Sequence, residues 1–142
     1  MKNRILISPR QRGQSLVELG LTLMILLWLL SGAVTFGIGF FSYVAIRDAA
    51  QEGALYGSID PTGDIEARVR SSSSAPVNLA DTTAVQVDAD ILPADSICAG
   101  SLLTVLVTYD YPVTMPLIGI ITGPTILLQA AATSTLLLPD CP

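Results

Sequence analysis

Apolar and polar positions follow three patterns along the chain. From Leu19 to Ile46 no residue is charged. At 1.5 Å per residue those roughly 28 positions predict a helix of about 42 Å, longer than the ~30 Å hydrocarbon core of a bilayer. Trp28 falls in the middle of the run, whereas Tyr43 and the pair Arg47-Asp48 suit its outer boundary. Beyond the run, Ala45, Ala49, Gly53 and Gly57 recur every four residues. That spacing lays them on one ridge and carries the helix to about residue 58. A ridge of small residues lets another backbone approach closely. Two readings fit it: packing with other helices in a filament or complex, or packing against the chain's own sheet.

The remainder alternates at the strand period. Asp60-Pro61-Thr62-Gly63 predicts a turn. Thr62 or Asp64 can cap a short helix to about Ser72, with Arg68 and Arg70 exposed. Ser71 to Ser74 and Pro76 read as a polar linker. In Val85–Ile91, Val85, Val87, Ala89 and Ile91 face one way and Gln86, Asp88 and Asp90 the other, the mark of a half-buried strand. Leu102–Tyr111 is apolar on both faces over much of its length and is expected to be central or covered by the helix. Pro112 and Pro116 end it, because neither can donate to a ladder. Gly119 to Pro124 reads as a loop. A third strand is expected over Ile126–Leu138, with Ile126, Leu128, Ala130, Ala132 and Ser134 on one face. The class is α+β: a long N-terminal transmembrane helix, about residues 19–46 in the membrane, packed against a small antiparallel β-sheet.

Charge divides the same way. Lys2, Arg4, Arg10 and Arg12 precede the apolar run, and all twelve acids lie from Glu18 onward. The positive-inside rule keeps the basic end in the cytoplasm and puts the C-terminal part outside. An acidic outer domain argues against nucleic acid as a partner, since phosphate contacts need Lys and Arg. The chain has no histidine, which removes the commonest general base and the commonest zinc ligand. Its two cysteines, Cys98 and Cys141, both lie in the outer part. An oxidising compartment would allow a disulfide between them, and two free thiols are the alternative. If the second and third strands are antiparallel neighbours, Cys98 precedes one and Cys141 follows the other, which brings the two together.

The stretch Arg12-Gly13-Gln14-Ser15-Leu16-Val17-Glu18 leads into the run. A secretory signal has a shorter apolar core and a small-residue exit, and neither is present, so the run is expected to be a retained anchor. Gly13 followed by Glu18 at the head of an apolar helix resembles the processing site of type IV pilins. That resemblance implies a cut by prepilin peptidase after Gly13, in the cytoplasm, which removes residues 1–13 as a basic leader. Gln14 becomes the new N-terminus. Glu18 becomes the fifth mature residue and, as in that family, pairs with the freed amine of its own or a neighbouring subunit. The alternative is that Glu18 sits among headgroups and reaches water. Glycine suits the cut because it leaves an extended backbone unhindered.

The segment Tyr43-Val-Ala-Ile-Arg-Asp-Ala-Ala-Gln-Glu-Gly-Ala-Leu-Tyr-Gly57, together with Arg12 to Glu18, resembles the TadE-like proteins, minor pseudopilins of the tight-adherence (Flp-type) pilus systems. Gln51 and Leu55 stand where arginines are frequent in that family, while Ala49, Ala50, Gly53 and Ala54 keep its framework. Val105 to Pro116 and the strand after it are similar to the family's closing part. The resemblance implies a pilin-like plan in three parts: leader 1–13, helix 14–58 and outer domain 59–142. It also implies other pilin or pseudopilin subunits, prepilin peptidase and membrane lipid as partners, and a structural role in pilus biogenesis and adhesion without a cofactor.

No constellation points to an enzyme. Asp88 and Asp90 share the polar face of a strand, where solvation explains them. Asp60, Asp64, Asp88, Asp90 and Asp95 could offer oxygen to calcium, but no EF-hand-like loop holds them. No serine or cysteine has a histidine to activate it. Two other readings remain at this stage: a major filament subunit of the same class, and an uncleaved single-pass protein whose outer domain binds a ligand or partner.

Overall fold

The computed structural model of the chain describes residues 9–93, 97–113, 119–120 and 122–137. Asp95, Pro116, Leu138 and Cys141 lie outside the described residues, as does most of the leader. The first helix, α1, covers Pro9–Ile59. The chain falls into two compact units that meet within it, one ending at Phe36 and one starting at Gly37.

In the first unit the apolar side chains from Leu16 to Leu30 are all between 53% and 73% exposed. A helix apolar on every side needs an apolar surrounding. Gly13–Ile59 is long and apolar enough to cross a membrane.

The second unit combines the end of α1 with α2 (Ile65–Ser71), β1 (Val85–Leu92), β2 (Leu102–Pro112) and β3 (Thr125–Thr135). The fold is α+β, a long N-terminal apolar helix against a three-stranded antiparallel sheet in the order β1-β2-β3. From Ser42 onward α1 becomes one-sided. Ser42, Ile46, Ala49, Ala50, Gly53, Ala54 and Gly57 are buried, while Gln51 and Leu55 face out. That is the 3.6-residue period of a helix laid on a core. Opposite it lie Leu103, Val105 and Val107 of β2, all fully buried. The register pairs Val85 with Tyr109, Val107 with Ala130 and Val105 with Ala132, so alternate residues of all three strands share this face.

β2 is central, as its composition predicted, but only one of its faces is covered by the helix. Leu102, on the other face, remains 46% exposed. β3 is shorter than the apolar pattern suggested. The Leu137 amide turns away to donate to the Ser58 carbonyl at 2.8 Å, so the chain leaves the ladder to satisfy an orphan carbonyl at the C-terminal end of α1.

Asp64 caps α2, its Oδ1 accepting from the Ala67 amide at 2.8 Å. Arg68 is exposed as expected and pairs with Glu52 of α1 at 2.6 Å. Arg70 differs from expectation. Held by Glu66 at 2.7 Å, its guanidinium donates to the carbonyls of Leu79 at 3.0 Å and Val85 at 3.4 Å. Those two carbonyls belong to a loop and to the first residue of a strand, and the forked guanidinium bridges them. The serine-rich stretch is likewise more than a linker. Val77 and Leu79, which follow it, are in the core, and the Ser72 hydroxyl donates to Val69 C=O at 2.7 Å. Between β2 and β3, the Gly123 amide donates to Gly119 C=O at 3.0 Å, closing a helical turn where a plain loop was expected. Gly123 has φ +90°, a conformation that only glycine adopts without strain.

Candidate functional site

The head of α1 presents Gly13 and Glu18 openly. A methyl group placed on Gly13 would meet nothing within 4 Å. Glu18 is exposed, and its carbonyl accepts from the Thr22 hydroxyl at 2.8 Å. Gly13 is helical, where an extended backbone was expected for a protease site. It is the fifth residue of the helix, so a local unwinding up to it opens only the hydrogen bonds of about the first turn. Gln14, next to it, is also exposed.

The ridge of small residues is occupied within its own unit. A methyl group on Gly53 would strike Val69 and come within 3.3 Å of Val105. One on Gly57 would strike Leu103 and lie 2.7 Å from Ile65. Ala49 is 2% exposed, and Ala45 packs at the edge of the same core. Of the two readings left open by the spacing, the structure realises the second at Ala45, Ala49, Gly53 and Gly57. The chain's own α2 and β2 fill the ridge, because the missing side chains leave just the depth that Val69, Ile65 and Leu103 need. At Gly53 and Gly57 the docked α2 and β2 leave no room for a second helix.

The segment that carried the family resemblance divides accordingly. Its framework residues Ala49, Ala50, Gly53 and Ala54 are the buried ones. The two departures, Gln51 and Leu55, are exposed, Leu55 by 64%. They can change without disturbing the core.

The remaining polar groups are local. Asp88 and Asp90 are exposed on the outer face of β1. Asp60 accepts from Thr62 at 3.0 Å within its own turn. The hydroxyl and amide of Thr83 hold the Asp81 carboxyl below the usual carboxylate range. Burial pushes the Tyr109 phenol above its ordinary value, helped by the neighbouring Tyr111 and Asp81. Cys98 sits just before Ser101, whose amide donates to the Cys98 carbonyl at 3.0 Å. Sequence reasoning missed Arg70. The signal was available in the Glu66/Arg70 spacing, but its two carbonyl partners are separated from it by 9 and 15 residues.

Comparison with known families gives one match: the model for TadE-like protein fits residues 13–55. The matched segment runs from Gly13 through most of the buried ridge, and the sheet lies beyond it. It agrees with the motif reading of Arg12–Glu18 and Tyr43–Gly57. No curated protein and no solved structure matches the chain.

Proposed function

We propose that this TadE-like chain is a minor pseudopilin of a Tad, type IV-like pilus assembly. It enters the inner or cytoplasmic membrane with its basic N-terminus inside and its sheet outside. Prepilin peptidase removes residues 1–13. The new amine on Gln14 and the Glu18 carboxylate then guide packing with other pilin or pseudopilin subunits. The outer domain primes, caps or decorates the assembly and assists adhesion, a structural role without catalysis or cofactor.

One observation carries this reading. The Gly13 and Glu18 motif stands unencumbered at the head of a helix whose next fifteen apolar positions have no protein cover, inside the segment that matches the family. A carboxylate at the head of such a helix is costly in lipid without a partner, and a freed α-amine in the adjacent subunit or its own chain supplies one. The expected result is an N-terminal mass from native membranes that starts at Gln14 only when the peptidase is active. A chain starting near Met1 in both backgrounds would leave an uncleaved tethered domain instead.

The same outer location suits a Cys98–Cys141 disulfide. Two observations support it. No cysteine among the described residues is free. The Gly100 amide also donates to the Leu136 carbonyl at 2.9 Å, and the Leu136 amide to Ser101, so the segments leading to the two cysteines run side by side. Closing a loop of that length is worth about 4 kcal/mol in the chain-entropy view. Alkylation of the unfolded protein is expected to add nothing before reduction and two groups after it. Two adducts without reductant would rule the bridge out.

A further inference from the structure

The two outer edges of the sheet differ in how they are closed. In an antiparallel ladder the backbone groups of successive residues point alternately toward the neighbouring strand and away from it. The Asp110 amide donates to the Ala84 carbonyl, so the even-numbered residues of β1 face β2. The odd-numbered ones form its outer edge, and the first of them is already taken. The Val85 amide donates to the Asp81 carbonyl at 3.0 Å, and the Val85 carbonyl accepts from the Arg70 guanidinium at 3.4 Å. Asp88 and Asp90 are exposed further along, and Pro93 follows the strand. Covered backbone groups, charges and a proline all keep an edge strand from pairing.

β3 lacks these devices. Its eleven residues, Thr125–Thr135, hold no charge and no proline. The Leu136 amide donates to the Ser101 carbonyl and its carbonyl accepts from the Gly100 amide, so here too the even-numbered residues face β2. Leu127, Gln129, Ala131 and Thr133 therefore turn their amides and carbonyls outward, and all four residues are exposed. Among the described residues no strand and no loop backbone pairs with them. The opening ends at Leu137, whose amide is taken by Ser58.

The side chains decide what fits there. With no charge on β3, a charged residue laid beside it would lose water without gaining a partner. On the helix-facing side the middle of β3 offers only Ala130 and Ala132. Along its closed edge, β2 sets Val107 against Ala130 and Val105 against Ala132, so β-branched residues fill the space beside the alanines. A second copy of β3, paired about its middle, would oppose alanine to alanine, the pairing that gains least from its side chains. The β1 strand of a second copy would bring its own obstructed edge.

We propose that the open edge of β3, from Leu127 to Thr133, receives an added strand from a different chain: an uncharged, extended segment with β-branched or larger apolar residues at alternate positions. The added strand makes the main-chain bonds that β3 leaves open. Its apolar side chains extend the face on which Leu128 and Ala132 already pack. This is the surface through which the assembly role proposed above would act, and it rests on that role only for the source of the strand.

β2 itself supplies the probe. A synthetic peptide with the sequence of residues 102–109, which holds no charge, carries a fluorophore on an uncharged polyether tail. Its binding to the full chain in detergent is read by fluorescence anisotropy. Saturable binding is expected, weakened roughly tenfold or more in Ala131→Pro. That proline removes an outward amide and leaves the β2 ladder intact. Ala131→Lys, which puts a charge on the edge, is expected to weaken binding as well and carries the test if the proline disturbs the tyrosine near-UV signal. Ala89→Pro removes an outward amide of β1 and is expected to leave binding unchanged. No binding, or equal binding by the wild type and a folded Ala131 variant, would overturn the proposal. Binding that is lost in Ala89→Pro would overturn it in favour of the other edge. A dimer of the full chain in the same detergent, broken by Ala131→Lys, would put a second copy at the edge and overturn the choice of a different chain. None of these measurements depends on the leader, so a chain that keeps residues 1–13 would strike the processing proposal and leave this one standing.

Discussion

Gly53→Leu is expected to cost the outer domain several kcal/mol, enough to unfold it at moderate temperature. A single methyl group at that position already strikes Val69, which is fully buried and β-branched, and approaches Val105, which is also fully buried. Neither can swing aside, because β-branched side chains have few rotamers and the core is close-packed. Overpacking of this kind costs about 1–3 kcal/mol for small increments, and a leucine adds four carbons where one does not fit. Against it stands only the gain of about 1 kcal/mol for replacing glycine inside a helix. Domains of this size hold about 5–15 kcal/mol in total. Gly37→Ala is the contrast: a methyl there meets nothing within 4 Å, so the helix gain stands alone. Near-UV circular dichroism during thermal unfolding in detergent, read in a Trp28→Phe background, follows Tyr43, Tyr56, Tyr109 and Tyr111, all in the unit that starts at Gly37. Val69→Ala is expected to recover part of the loss in a Gly53→Ala background, since the two share the contact. A Gly53→Leu protein that melts with the wild type would show that the helix does not dock on β2 and α2 as described.

Gly13→Val is expected to abolish removal of the leader while leaving the fold unchanged. The second half of that statement comes from the structure, because the position is open on all sides. A lost cut would therefore report recognition rather than unfolding. The first half follows from the proposed processing. A protease must draw the backbone of its site into an extended shape, and a β-branched side chain beside the cut obstructs the approach that glycine allows. The measured quantity is the mass of the chain from membranes with an active peptidase: full length for Gly13→Val, shorter by residues 1–13 for the wild type. Glu18→Gln makes a useful companion. It is expected to be cut normally and to fail in assembly, since it removes the charge that pairs with the amine but not the site. Normal cutting of Gly13→Val would remove the processing argument from the motif.

Positions 13 and 53 were legible to different degrees. Gly13 and Glu18 stand out because their signal lies in one dimension: a fixed spacing at the head of an apolar run. The strands were equally legible. Alternation placed Val85, Val87, Ala89 and Ile91 on one face, and the register confirms the matching faces of β2 and β3. The ridge at Ala45, Ala49, Gly53 and Gly57 was visible as a ridge, but its partner was not, because small residues permit any close neighbour equally. Arg70 was misread as exposed for a related reason. A charge near a helix end is usually solvated, and only the fold brings the carbonyls of Leu79 and Val85 within its reach.

The sequence pattern by itself determined that this protein has a membrane-length helix, an α+β part after it and a Gly13–Glu18 motif at the helix head that resembles a cleavage site, since each depends on spacing along one chain. Tertiary structure decided what the apolar run could not: where the helix starts to be covered by the chain's own sheet. Water expels an apolar residue in the same way whether lipid or protein receives it. Ile46 and Leu29 are therefore indistinguishable by hydropathy, and only the docking of β2 against α1 tells them apart.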